Sequence, residues 1–178
     1  MTPPTVSLIG SFRQHYADIR ETARIFTAAG MTVKSPPIST IIDPERDYVR
    51  FEADPPEATD LEIQARTFKN LFTSDFVYIV DPGGYIGQLT AYELGRITER
   101  GIPIYYAEPP KGVCVDVPEG TVLSAEELAA RLTADQVSAP RSGIPTSPHH
   151  QCRNNYCHHP SATASCAADA GGMPLSTE

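Results

Sequence analysis

Asp75-Phe-Val-Tyr-Ile-Val80, followed by Asp81-Pro-Gly-Gly-Tyr-Ile-Gly87 and then Gln88-Leu-Thr-Ala-Tyr-Glu93-Leu-Gly95, is the stretch on which the fold turns. Five apolar residues in a row, with no polar alternation, describe a strand covered on both faces, as a central parallel strand is. The proline and glycines that follow break it, and a helix is expected from about Gln88 to Arg100, closed by Gly101. Upstream, Thr5-Val-Ser-Leu-Ile-Gly10 reads as a first strand. Ile19, Ala23 and Phe26 then recur at helical spacing over 15–29, with Gly30 as the stop, and Met31 to Ser35 is a second strand halted by Pro36-Pro37. Residues 36–58 form a long loop with Tyr48 and Phe51 as anchors, and a loop of that length is uncommon unless it covers a site. Asp60 is placed as the cap of a helix running to Phe72. Downstream, Ile102 to Tyr106 is a fourth strand and Val113 to Val117 a fifth, and Ser124 with Glu127 forms a capping box for a last helix through about Leu132. Strands alternating with helices in this way specify an α/β fold: a Rossmann-like parallel sheet of about five strands with helices on both faces. Ligands in such sheets sit beyond the carboxyl ends of the strands, which selects the loops 10–16 and 81–90.

The chain has 178 residues, room for one domain and an extension. Its 14 basic and 22 acidic residues leave a net charge of −8, which argues against a nucleic-acid backbone as partner. No apolar run approaches the ~18–20 residues that span a bilayer, and Met1-Thr-Pro-Pro has neither the basic nor the apolar region of a secretory signal, so a cytoplasmic protein is expected. From about Ser138 the composition changes. Ile144, Met173 and Leu175 are the only large aliphatics beyond that point, and Arg141 and Arg153 cancel Asp169 and Glu178. Residues 1–137 are therefore read as the domain and 138–178 as a disordered low-complexity tail. The tail holds Cys152, Cys157, Cys166 and His149, His150, His158, His159, but not at the paired spacing of a zinc site, so neither metal nor other cofactor is expected. Cys114, on the fifth strand, is read as a small buried hydrophobe.

The glycine loop lets backbone approach a ligand, and the helix start behind it attracts an anion. It is neither a Walker loop nor the dinucleotide fingerprint. Glu93 falls about one turn into the following helix, near the carboxyl end of the sheet. Its position alone allows two readings, a reactive carboxylate or an acid that merely complements the helix dipole. Arg13 likewise is either a grip for an anion or a surface arginine ahead of a helix.

Gly10-Ser-Phe-Arg13 after strand one, Asp75 opening strand three, and Gly84-Tyr-Ile-Gly87-x-x-Thr90-x-Tyr92-Glu93-Leu94-Gly95 together resemble the nucleoside 2-deoxyribosyltransferase superfamily. Its hydrolytic branch, the nucleoside 5′-monophosphate N-glycosidases, is similar at Gly10-Ser-x-Arg13 and at Tyr92-Glu93-Leu94-Gly95-Arg96. The resemblance spans roughly residues 5–107. It implies a flavodoxin-like fold, a homo-oligomer whose sites borrow residues from a neighbour, and a nucleoside or nucleotide as the small-molecule partner. Glu93 takes the place of the glutamate that attacks the anomeric carbon. Gly10, Ser11 and Arg13 would hold a 5′-phosphate, and Tyr16, Gly84, Tyr85, Gly87 and Thr90 would complete the substrate site, with His15 beside them. A carboxylate can displace a base from the sugar as a glycosyl ester, which water or a second base then resolves. Two positions depart from the family: Thr67 stands where an aspartate is common, and Gly87 where Asp or Ser is frequent, with Asp60 and Glu62 the nearest acids that could compensate. Hydrolysis, transfer and binding without turnover all stay open. So does a related phosphoribohydrolase suggested by Pro82-Gly-Gly84, although its glycine run enters a Glu-Glu pair sooner than the spacing here allows.

Overall fold

A computed structural model describes residues 2–138, apart from positions 45 and 47. The strands are β1 (Thr5–Gly10), β2 (Thr32–Ser35), β3 (Phe76–Val80) and β4 (Ile104–Tyr106). The helices are α1 (Phe12–Ala28), α2 (Asp60–Phe72), α3 (Gln88–Glu99) and α4 (Ala125–Ser138), with a 3-10 turn at Pro82–Gly84. The strands form one four-stranded parallel sheet in the order β2-β1-β3-β4. That order is the first four positions of the flavodoxin-like arrangement, and the chain winds outward in opposite directions from β1 and β3.

Alternate strand residues divide between two cores. Val6, Leu8, Phe76, Tyr78 and Val80 pack with Ile19, Ala23 and Phe26 of α1 and Leu128 of α4 on one face. Ile9, Val77 and Ile79 pack with Leu71 of α2 and Leu94 and Ile97 of α3 on the other. All five residues of β3 are buried, which is why its sequence carries no alternation. At the far, amino end of the sheet Asp75 accepts hydrogen bonds of 2.7 Å from both the backbone N–H and the hydroxyl of Thr5, tying β3 to β1. Those bonds hold the Asp75 carboxyl below its usual range.

Five expectations need correction. Val113 to Val117 does not form a fifth strand: Val113, Val115 and Val117 turn alternately onto the α2/α3 core while the chain stays outside the ladder. The place beside β4 is taken instead by a single bridge at Val122, through Tyr106 N–H to Thr121 O at 2.9 Å and Leu123 N–H to Tyr106 O at 3.0 Å. Cys114 falls on the outward phase of that alternation and is exposed. Helix α1 starts at Phe12, because Ser11 already occupies the cap position, and His15 interrupts the helical dihedrals at φ −125°. The cap of α2 is Thr59 rather than Asp60, in a reciprocal box with Glu62. The Ser124–Glu127 box is present, and α4 continues past Leu132 to Ser138. The proposed tail, with its cysteines and histidines, otherwise lies outside the described residues.

Candidate functional site

A cavity of about 470 Å³ opens where β1 and β3 end and their connections part, a size typical of small-molecule sites. Gly10 faces Val80 across the ladder, and a Cβ on Gly10 would lie 2.5 Å from Val80 O. Glycine is thus needed there first for strand packing. Behind it, Ser11 caps α1 with no side-chain capping bond, so the cap leaves its hydroxyl uncommitted. Gly87 caps α3 in the same bare way. Two helices therefore begin at the cavity with their positive dipole ends toward it, although Gln14 N–H is already taken by Ser11 O at 3.1 Å. Arg13, on the first turn of α1, adds a guanidinium at the rim.

Helix α3 carries Thr90 and Glu93 on its inward face, 3% and 2% exposed. Glu93 lines the cavity, and its Oε1 accepts a hydrogen bond of 2.9 Å from Nε2 of Gln64 on α2. Burial raises the Glu93 carboxyl to about 7, against the smaller opposing effect of the Gln64 bond. A carboxyl at that value is charged or neutral according to small changes in its surroundings, which is the property expected of a group that reacts near neutral pH.

The loop from 36 to 58 closes one side. Phe51 is its anchor, buried against Phe12 and Tyr16 at ring distances of 5.6 and 5.5 Å. Arg50 fastens the loop to α2 through Asp60, at 2.6 Å, and to the loop's own end through Ala58 O at 2.7 Å. The fastened loop brings Tyr48 and Asp54 to the cavity wall. Burial raises the Tyr48 phenol, and the carboxylates of Glu93, Asp54 and Asp60 raise it further, so it is a hydrogen-bond donor at neutral pH.

Seven of the residues singled out in the sequence meet in this cavity: Gly10, Ser11, Arg13, Tyr85, Gly87, Thr90 and Glu93, joined by Thr67. Tyr16 does not line it, for its hydroxyl donates to Ser39 O. Gly84 is buried at φ +76° against Pro109 O, a conformation and a contact that exclude any side chain, and it shapes the turn rather than the wall. The His15 ring sits 6.2 Å from the Tyr85 ring, also off the wall. Asp60 is engaged by Arg50 and Glu62 by the cap of α2, so neither supplies the acid absent at Thr67. Asp75 is at the opposite end of the sheet. Tyr92 and Arg96 point outward, where Arg96 bonds the Tyr92 hydroxyl at 2.9 Å and lies over Phe68. Gln64 and Asp54 had no sequence signal of their own. Gln64 meets Glu93 across 29 residues, and only the α2–α3 packing brings them together.

No protein-family model and no curated protein matches the chain. Among the described residues no group of three metal-ligating side chains occurs, and no helix is long and apolar enough to cross a membrane.

Proposed function

We propose that the protein cleaves the N-glycosidic bond of a nucleoside 5′-monophosphate, with Glu93 as nucleophile, in the manner of the nucleoside 2-deoxyribosyltransferase-like superfamily. The observation that carries this reading is a carboxylate only 2% exposed, raised to about 7, in the wall of a cavity at the point where the sheet's connections diverge. The Glu93 oxygen attacks the anomeric carbon, the bond to the base nitrogen breaks, and its electron pair leaves with the base, which takes up a proton. Water, or a second base, then attacks the same carbon and releases the carboxylate. Ser11, Arg13 and the first turn of α1 are suited to a 5′-phosphate, since forked and backbone donors match its oxygens. Tyr48 and Asp54, on the wall with Glu93, are the groups available to hydrogen-bond the base. The same reading carries a cytoplasmic homo-oligomer with it.

The test is to incubate the protein with nucleosides and their monophosphates, with and without an acceptor base, and to follow base release chromatographically. Release from a monophosphate, abolished in Glu93→Gln, is expected. Binding with no release from any of them makes the protein a nucleotide-binding module. Release confined to ribonucleotides and undiminished in Glu93→Gln points to a phosphoribohydrolase.

A further inference from the structure

The α2 side chain that meets Glu93 explains how a desolvated carboxylate is held ready. Among the described residues Glu93 has one hydrogen-bond donor, the Gln64 amide, at 2.9 Å. Gln64 itself is held on a rigid segment: Ile63 beside it is buried, Thr59 and Glu62 close the first turn of α2, and Arg50 grips Asp60 at its start. We propose that Gln64 is the positioning residue of the site, pinning Oε1 of Glu93 so that Oε2 alone is presented to the cavity in a fixed direction. The role rests on Glu93 being the group the site uses.

The chemistry of the amide suits this role better than a cation or a hydroxyl would. Its N–H donates to the ionised carboxylate, and its carbonyl, after a half-turn of the amide, accepts from the protonated one, so the pair stays bonded through a full cycle of charge. A lysine would lock the carboxylate in the charged state and blunt its nucleophilicity. A second carboxylate would share a proton with it. The other charged or titratable groups at the cavity are Arg13 at the rim, Tyr85 after the glycine turn, and Tyr48 and Asp54 on the loop; among the described contacts none hydrogen-bonds Glu93. Of the amide's two bonds, that to the ionised carboxylate is the stronger, so losing both moves the carboxyl up by about one pH unit.

The variant that isolates the amide is Gln64→Met, which keeps the length and removes donor and acceptor. Carbon-detected NMR of the Glu93 carboxyl should show its midpoint rising by about one unit, and the acid limb of base release should move by the same amount, with rate recovered as pH is raised. In the parent protein, the Gln64 side-chain amide signals should titrate with the Glu93 midpoint, and this measurement needs no variant to fold. An unmoved midpoint in a folded Gln64→Met, or Gln64 amide signals that ignore the Glu93 titration, would overturn the role. A parent protein that releases no base at any pH while both NMR responses hold would instead sink the glycosidase reading. A parent that turns over, with the acid limb unmoved in Gln64→Met, would sink the positioning role alone.

Discussion

Replacing Glu93 by Gln separates the two readings of this carboxylate by the sign of a stability change. The side chain is 2% exposed and its carboxyl is raised from 4.5 to about 7. A raised carboxyl means that the folded state binds a proton more tightly than the unfolded chain. Its contribution to stability is complete below the unfolded value and is lost as pH rises through the interval up to about 7. At 1.36 kcal/mol per unit, the charged form costs about 3 kcal/mol above neutrality. Glu93→Gln keeps the volume and can still accept from the Gln64 amide, so it removes that cost and little else. The variant should match the parent near pH 4 and exceed it by about 3 kcal/mol at pH 8, a rise in Tm of roughly 10 °C for a domain of this size. Denaturant titration at a series of pH values checks it. A glutamate that merely complements the α3 dipole predicts the reverse, a loss of about 0.3–1 kcal/mol that disappears as the acid is protonated. Equal stabilities at pH 8, or a loss there, would refute the claim that a desolvated charge is stored at this position. Base release by the parent should rise with pH through about 7, as the nucleophilic form appears.

Two further expectations follow from the site and its supports. Arg13→Ala should weaken a nucleoside monophosphate by about 1.5–3 kcal/mol in a binding titration and leave the unphosphorylated nucleoside nearly unchanged, since only the phosphate offers anionic oxygens to the guanidinium; equal losses would remove Arg13 from the phosphate site. Asp81, directly after β3, is fully buried, with Oδ1 accepting from Glu108 N–H at 3.1 Å and Oδ2 without a partner among the described residues, and burial raises it from 3.8 to about 7. It too costs stability as pH climbs toward 7, so Asp81→Asn should reduce the fall in folding free energy between pH 4 and 8 by on the order of 2–4 kcal/mol; an unchanged pH profile would show that the carboxyl finds a partner in solution.

What was legible in the sequence was whatever local pattern encodes. The unbroken apolar run of β3 announced a central strand, and its five residues are all buried. The turn residues after Val80 and Gly101 beyond them placed α3 and put Glu93 about one turn into it; that Glu93 faces inward is what the packing adds. The bounds of α2 were readable because Phe72 precedes a polar break, although the cap itself was displaced by one residue to Thr59. Val113 to Val117 was read as a fifth strand, but a stretch rich in β-branched residues cannot say whether a neighbouring strand offers its hydrogen bonds, and β4 offers them to residues 121–123 instead while these valines pack on the α2/α3 core. Tyr16 was misplaced for a similar reason. An aromatic one turn into α1 faces either the sheet's end or the returning loop, and Phe51 and Ser39 draw it to the loop. Tyr48 was visible as an anchor of that loop, while Asp54 and Gln64 became site residues only through contacts far apart in sequence.

The central claim is that Glu93 becomes covalently attached to the sugar, and intact-protein mass spectrometry of a reaction quenched in acid tests it most directly. With a slowly resolved substrate, the account predicts a mass increase equal to the nucleoside monophosphate less the free base. Peptide mapping should place it on Glu93, and it should be absent from Glu93→Gln. Steady base release with no adduct at any quench time, or an adduct on another residue, would contradict it.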